Sequence, residues 1–409
     1  MRSVADQLAA VLAAATSMPA LDVVLSDADG CIVARDVVSE TDVPALPLAD
    51  RDGYAVLAAD APAWAPAELP VVDDVTVTGS RLRHVPGTAV LVAAGAPMPL
   101  GADAVVPLEA TDRGRARVAL RTGVAPGEGV RDAGQDARAG STVLPAGTRV
   151  GPRHLALAAA VGRSRLWVRP TPRVVVVTVG DELVEAGRRL RDGTVHDADA
   201  HALGAAAREA GAAAVRVGPV PDDRAVLREV VADQLVRADL LVLVGGLSAG
   251  PWDTVGDVLA GLPDVRVDQL AMAPGGRMGF GVVPGAALPV DDGAPGVIVA
   301  ALPGHPVSAL LTFEMFLRPA LRAMAGQVTL YRPSVRATAA RAWASPAGLT
   351  QVVPATVVGS PGEGYTATPL DPGAPSLAAL ARANALVVVP EDTTTVVAGD
   401  LVSCLVLEG

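Results

Sequence analysis

The chain has 409 residues, of which 51% are hydrophobic but only 2% aromatic, and it carries a net charge of −11 with a pI near 5.0. That length calls for roughly two to four domains with cores built from Ala, Val and Leu, and the acidic balance excludes a general nucleic-acid binder. All 33 basic residues are arginine, and Cys31 and Cys404 stand too far apart to form a metal motif or a disulfide framework, which fits a reducing cytoplasm. The N-terminal stretch up to Met18 reads as an amphipathic helix over Ser3–Ala15 rather than a secretion signal, because Asp6 and Gln7 interrupt it. Leu21–Leu25 is a candidate strand, Asp27–Gly30 a turn, and Cys31–Ala34 a strand or helix edge. From Asp42 to about Gly147, short β-type runs (Val75–Val77, Ala104–Val106, Arg117–Leu120) alternate with Gly- and Pro-rich turns, so a small β-rich domain is expected there. Pro152–Val161 reads as a helix stopped by Gly162.

Strand and helix then alternate from Arg173 to about Ala325, the pattern of an α/β domain with a mostly parallel sheet. Arg173–Val179, Asp239–Val244 and Val297–Leu302 are continuous apolar runs rich in β-branched residues, as strands buried on both faces require. Helices are expected near His201–Ala210, ended by Gly211, and over Asp222–Val236. Gly285–Pro295 reads as an exposed loop. After Pro303-Gly304-His305-Pro306, apolar residues recur at helical spacing, and Pro319 is expected to limit that helix. Four short strands (Ser334–Thr338, Val352–Val358, Leu386–Val389, Leu401–Leu407) and a helical turn at Ala378–Ala383 make a β-rich C-terminal domain.

The three apolar strands end in similar chemistry. The first runs into Gly180-Asp181-Glu182, the second into Gly245-Gly246-Leu247-Ser248-Ala249-Gly250, and the third into Gly304 and Ser308 at a helix start. Open parallel sheets bind ligands beyond the carboxyl ends of their strands, so one shared site is expected. Glycine lets backbone N–H groups approach a phosphate, and a helix's first turn offers more of them. The acids Asp181, Glu182 and Asp253 stand on these strand-end loops, where the dipole of a helix start also favours an acid.

In order and spacing these pieces resemble the molybdopterin molybdenumtransferase family, the MoeA-type insertases that include the C-terminal domain of gephyrin. The residues that carry the resemblance are Arg51–Val56, Ala94–Pro99 running into Gly101–Val106, Gly180–Leu183, Gly245–Gly250 with Asp253, Pro274-Gly275 with Phe280-Gly281, Leu302–Ser308 and Leu380–Leu386. The resemblance implies an α/β multidomain protomer. A helical linker domain (1–25 and 147–169) and a β-rich inserted domain (26–146) would accompany a central three-layer α/β domain (170–325) and a C-terminal β domain (330–409). It implies a cytoplasmic homodimer that takes adenylylated molybdopterin and molybdate, uses Mg²⁺, inserts the molybdenum and releases AMP, alongside other molybdenum cofactor biosynthesis proteins and without nucleic acid or membrane. The expected reaction residues are Asp52, Asp181, Glu182 and Asp253, with Asp181, Glu182 and Asp253 at the metal. Gly245, Gly246, Ser248, Gly250, Arg277, Gly304, His305 and Ser308 would bind the pterin. Glu109, Arg131 and Asp136 match further charged family positions in the inserted domain.

Several functional positions depart from the family pattern. The family's Lys-Pro-Gly-Lys-Pro reads Ala273-Pro274-Gly275-Gly276-Arg277, which removes both lysines. His305 replaces the asparagine of Pro-Gly-Asn-Pro, Asp199 replaces an asparagine two residues past Asp197, and Leu349 replaces an arginine. Two anions cannot share a cleft without positive partners. Arg277 would have to stand in for one lysine, and His305 would offer a hydrogen bond. The alternative is a catalytically impaired paralogue that binds molybdopterin or serves as a scaffold.

Overall fold

The computed structural model describes residues 1–62, 66–79, 81–248, 250, 252–284 and 296–407. The loop expected at Gly285–Pro295 lies outside them. The chain divides into two compact units, one of Met1–Leu21, Gly30–Ala34 and Val168–Gly409, the other of Asp22–Asp29 and Arg35–Trp167.

The second unit is built on a sheet of five strands in the order Ala104–Pro107, Gly53–Val56, Ala89–Val92, Ala67–Val75, Arg117–Leu120. Of the β-type run expected at Val75–Val77 only Val75 lies in a strand, as the last residue of the nine-residue Ala67–Val75, and Thr76 and Val77 lead into a turn. Tyr54, Val56, Val106 and Val118 are buried in its core.

In the first unit, helix α1 (Val4–Ala14) is capped by Ser3, whose hydroxyl accepts the Asp6 N–H. The α/β portion follows as β1 (Arg173–Val179), α2 (Asp199–Glu209), β2 (Ala213–Val220), α3 (Arg224–Leu235), β3 (Leu240–Val244), α4 (Thr254–Leu259), β4 (Arg266–Gln269), β5 (Arg277–Val283), β6 (Val297–Leu302), α5 (Pro306–Thr312) and α6 (Arg318–Met324). The strands lie in the order β2-β1-β3-β6-β5-β4. Pairs β2/β1, β1/β3 and β3/β6 are parallel, and β5 and β4 join antiparallel at one edge. Side chains alternate between two cores. Val174, Val176, Leu240, Val242 and Ile298 pack with Leu203 of α2 and Leu311 of α5, whereas Val175, Val177, Leu241, Leu243 and Val299 pack with Leu227 of α3 and Val255 of α4. Helices therefore cover both faces, which makes three layers and explains why these strands are apolar without interruption. Each fully buried Val or Leu contributes about 1.5–3 kcal/mol relative to exposure.

Pro319 does not end the final helix. A proline has no N–H and its ring clashes with the carbonyl four residues back. The chain relieves this by widening Phe313–Leu317 into a π turn, after which Pro319 sits in the first turn of α6, where its N–H is not needed. The C-terminal strands close on themselves: Thr350–Ser360 pairs with both Gly364–Pro369 and Ala385–Val389, and Ser334–Ala339 and Leu401–Val406 complete the ring. The expected helical turn is present as Leu377–Arg382.

Candidate functional site

Strands β1, β3 and β6 are adjacent and parallel, so their carboxyl ends fall on one edge of the sheet. The turns that leave them touch. A Cβ built on Gly304 would lie 2.9 Å from the Gly245 Cα, and one on Gly245 would lie 2.2 Å from the Val179 carbonyl oxygen. Gly245 also holds φ +88°, in the left-handed region. Only glycine permits that backbone approach, and it brings the ends of all three strands into one place.

From this contact the site extends in two directions. Toward β5, the Gly246 carbonyl accepts the Val255 N–H at 3.0 Å, which seats the start of α4 beside the turn. Asp253 caps α4 by accepting the Gly256 N–H at 2.8 Å, and its other oxygen meets Arg277 Nη2 at 3.1 Å. Arg277 stands at the start of β5, and its Nη1 is buried with no hydrogen-bond partner among the described residues. Ser248 accepts the Gly250 N–H at 2.9 Å, which leaves its hydroxyl proton free to donate.

Toward β2, the site is acidic. The Asp181 N–H donates to Asp222 at 3.3 Å and the Asp222 N–H donates back to Asp181 Oδ1 at 3.2 Å. Asp223 caps α3, and the Val226 and Ala225 N–H groups hold its carboxyl below the usual range. The Glu182 carboxylate folds back over Gly180. At the β6 end, His305 is the exposed residue preceding α5, Pro306 opens the helix, and Ser308 lies half-buried in its first turn.

The structure thus gathers Gly245, Gly246, Ser248, Asp253, Arg277 and Gly304, with Gly250, His305 and Ser308 on the same turns and Asp181 beside them through Asp222. It does not gather Asp181, Glu182 and Asp253 as a metal set: among the described residues no three His, Cys, Asp or Glu side chains are grouped to hold an ion. In this structure Asp253 is engaged by the Gly256 N–H and by Arg277. Asp52 lies in the other unit, where it accepts the Ala94 N–H at 2.7 Å. Sequence reasoning missed Asp222, because Asp222-Asp223 reads as a helix start and its partner Asp181 is 41 residues away. It also missed a buried group at the end of β1, where the Thr178 hydroxyl donates to Asp197 at 2.6 Å next to buried Asp199.

Three family profiles match the chain: the MoeA N-terminal region (domains I and II) over residues 2–162, a probable molybdopterin binding domain over 175–323, and the MoeA C-terminal region (domain IV) over 336–407. The chain is 37% identical to molybdopterin molybdenumtransferase 2 of Mycobacterium tuberculosis strain H37Rv, covering 98% of each. It is 29% identical to the molybdopterin molybdenumtransferase of Bacillus subtilis, over 94% of this chain and 89% of that one. A crystal structure of a molybdopterin biosynthesis MoeA protein from Pyrococcus horikosii superposes with a TM-score of 0.78 at 28% identity, covering 100% of this chain and 99% of that one.

Proposed function

The chain belongs to the MoeA family of molybdopterin molybdenumtransferases, and from that premise we propose that it is the enzyme of molybdenum cofactor biosynthesis that transfers molybdenum from molybdate to molybdopterin. The pterin arrives as the adenylylated form. Water cleaves its phosphoanhydride and AMP leaves; the two dithiolene sulfurs then bond to the molybdenum of molybdate as one oxide ligand departs with the two thiol protons as water. The contact between Gly245 and Gly304 is the observation that carries this reading. Where two strand-end backbones meet without side chains between them, a phosphate can lie against their N–H groups.

We assign the residues as follows. Gly245, Gly246, Gly250 and Gly304 shape the phosphate seat, and Ser248, Ser308 and His305 donate hydrogen bonds at its rim. Arg277 neutralises the phosphate, and Asp253 aims Arg277 by holding one end of its guanidinium. Asp181 and Glu182 are the acids we assign to Mg²⁺; they would hold the ion, which would offset phosphate charge when bound. Asp253 is assigned to Arg277 and not to the ion. We take the working form to be a cytoplasmic homodimer in which Asp52 also serves the reaction.

The test is AMP release from adenylylated molybdopterin with molybdate and Mg²⁺ supplied. Release well above the uncatalysed rate is expected. A folded protein that binds the pterin but releases no AMP would make it the binding paralogue. Arg277→Ala should weaken binding of the phosphorylated pterin roughly 10- to 100-fold, the range for lost charged hydrogen bonds. Unchanged affinity would reduce Arg277 to a partner of Asp253.

A further inference from the structure

Three of the four tryptophans lie among the described residues, and two of them are accounted for. Trp343 is buried, and its indole N–H donates to Gln351 at 3.1 Å. The Arg35 guanidinium lies over the Trp167 ring, 4.1 Å from its centre. Trp252 is different. It is 79% exposed, and among the described residues its indole makes no hydrogen bond and no ring contact. A lone apolar side chain on an open surface needs no explanation, so the position of this one decides its meaning. Trp252 stands within the Gly245–Asp253 stretch. A Cβ built on Gly250 would lie 3.4 Å from the Trp252 Cε3 and 3.7 Å from its Cζ3, so the benzo edge of the indole flanks Gly250. The Gly250 N–H donates to the Ser248 hydroxyl at 2.9 Å, which ties that end of the turn. The next residue in the chain, Asp253, caps α4 and holds Arg277 at 3.1 Å. An uncovered flat ring is thus placed beside the glycine turn, one residue from the acid that aims the guanidinium.

We infer that Trp252 is a specificity-determining residue of this site, and that its indole is the platform on which a planar heteroaromatic ring of the phosphorylated substrate stacks. The inference rests on the transferase reading, since that reading puts the substrate's phosphates on the glycine turn. Adenylylated molybdopterin carries two such rings, adenine and the pterin, on opposite sides of its phosphoanhydride. An indole offers either of them a large, rigid π face with few rotatable bonds to fix. Stacking of a base on an aromatic side chain is worth about 5- to 150-fold in affinity, and it tolerates differences between rings because every base has a π face. Phosphates without a ring gain nothing from it. The glycine turn therefore selects for phosphate, and Trp252 selects among phosphates for those that carry a flat ring.

Calorimetric titration of the full chain with AMP, ribose 5-phosphate and molybdopterin tests it. Trp252→Leu removes the ring and keeps an apolar side chain, whereas Trp252→Phe keeps a ring. The Leu variant should lose about fivefold or more in affinity for AMP if adenine is the stacked ring, or for molybdopterin if the pterin is. Ribose 5-phosphate should bind it as it binds the unaltered chain, and Trp252→Phe should recover most of the loss. The ligand that stacks should also quench tryptophan emission in the unaltered chain, and that quench should be missing in Trp252→Leu. An equal loss for ribose 5-phosphate would make Trp252 a support of the turn and overturn the proposal. So would unchanged affinity for both ringed ligands in the Leu variant, or an unaltered chain that binds neither of them. The two readings fail separately. Ring-dependent binding without AMP release from adenylylated molybdopterin removes the transferase and leaves the platform, whereas AMP release with an unchanged KM in Trp252→Leu removes the platform alone.

Discussion

Asp199 carries a carboxyl that is 7% exposed and whose Oδ1 has no partner among the described residues. Asp197, two positions earlier, already accepts from the Thr178 hydroxyl at 2.6 Å and the Ala200 N–H at 3.0 Å. Burial first, and the Asp197 charge second, push the Asp199 pKa from 3.8 up to about 7. The folded chain thus keeps a proton that the unfolded chain releases. This favours the folded state fully below pH 3.8, fades as pH rises toward about 7, and above that leaves a buried unpaired charge. The whole shift corresponds to at most about 4 kcal/mol. Asp199→Asn removes the titration while keeping the shape. Its melting temperature should exceed that of the unaltered chain by more at pH 8 than at pH 5. Equal gains at both pH values would mean that Asp199 does not hold the proton. The departure of Asp199 from the family asparagine was legible in the sequence, but its burial was not, since no spacing rule says which helix-start acid faces inward. Likewise, the sequence shows Arg277 where the family carries a lysine nearby, whereas its pairing with Asp253 depends on β5, an antiparallel strand that the fold places between β6 and β4.

At the scale of elements, the glycine turns differ sharply in what they tolerate. Gly304→Ala would set its Cβ 2.9 Å from the Gly245 Cα, and Gly245→Ala would set its Cβ 2.2 Å from the Val179 carbonyl at φ +88°. Both obstacles are backbone, so neither can swing aside. Gly250→Ala meets only the Ser248 hydroxyl and the Trp252 ring at 3.4 Å, an ordinary contact. Urea unfolding should show losses of about 1–3 kcal/mol for Gly304→Ala and more for Gly245→Ala, with Gly250→Ala within about 0.5 kcal/mol. AMP release should fall in all three, and in the third without a loss of stability, because Gly250 is assigned to the phosphate seat. A Gly304→Ala enzyme with full stability and rate would show that the strand ends need not touch. The strands themselves were legible almost to the residue, because fully buried parallel strands must be apolar throughout: Arg173–Val179 and Val297–Leu302 match, and Asp239–Val244 is shorter by one. The helix after them was not, because the rule that proline stops a helix omits the π turn. Gly364–Pro369 was missed because its alternation is weak and its partners lie on both sides of a closed ring.

For the whole molecule the decisive facts are a net charge of −11 and the lack of any lysine. A pterin phosphate, its adenylate and molybdate are all anions, so the mean field of the protein repels them while Arg277 attracts at short range. These two effects separate by distance. The repulsion acts over the Debye length, which falls from about 30 Å at 0.01 M salt to about 8 Å at 0.15 M. The guanidinium contact operates within hydrogen-bond range and is screened far less. Raising salt over that interval should therefore increase kcat/KM for the adenylylated pterin several-fold, the reverse of the usual effect on anion-binding enzymes with basic clefts. A fall in kcat/KM would show that a local positive potential outweighs the acidic surface. Because every cation is an arginine, the anion contacts should also hold from pH 8.5 to 10.5, where a lysine site would begin to lose its charge. Measuring kcat/KM across both salt and pH separates the two effects, since only the long-range one should respond to salt and neither should respond to that alkaline range.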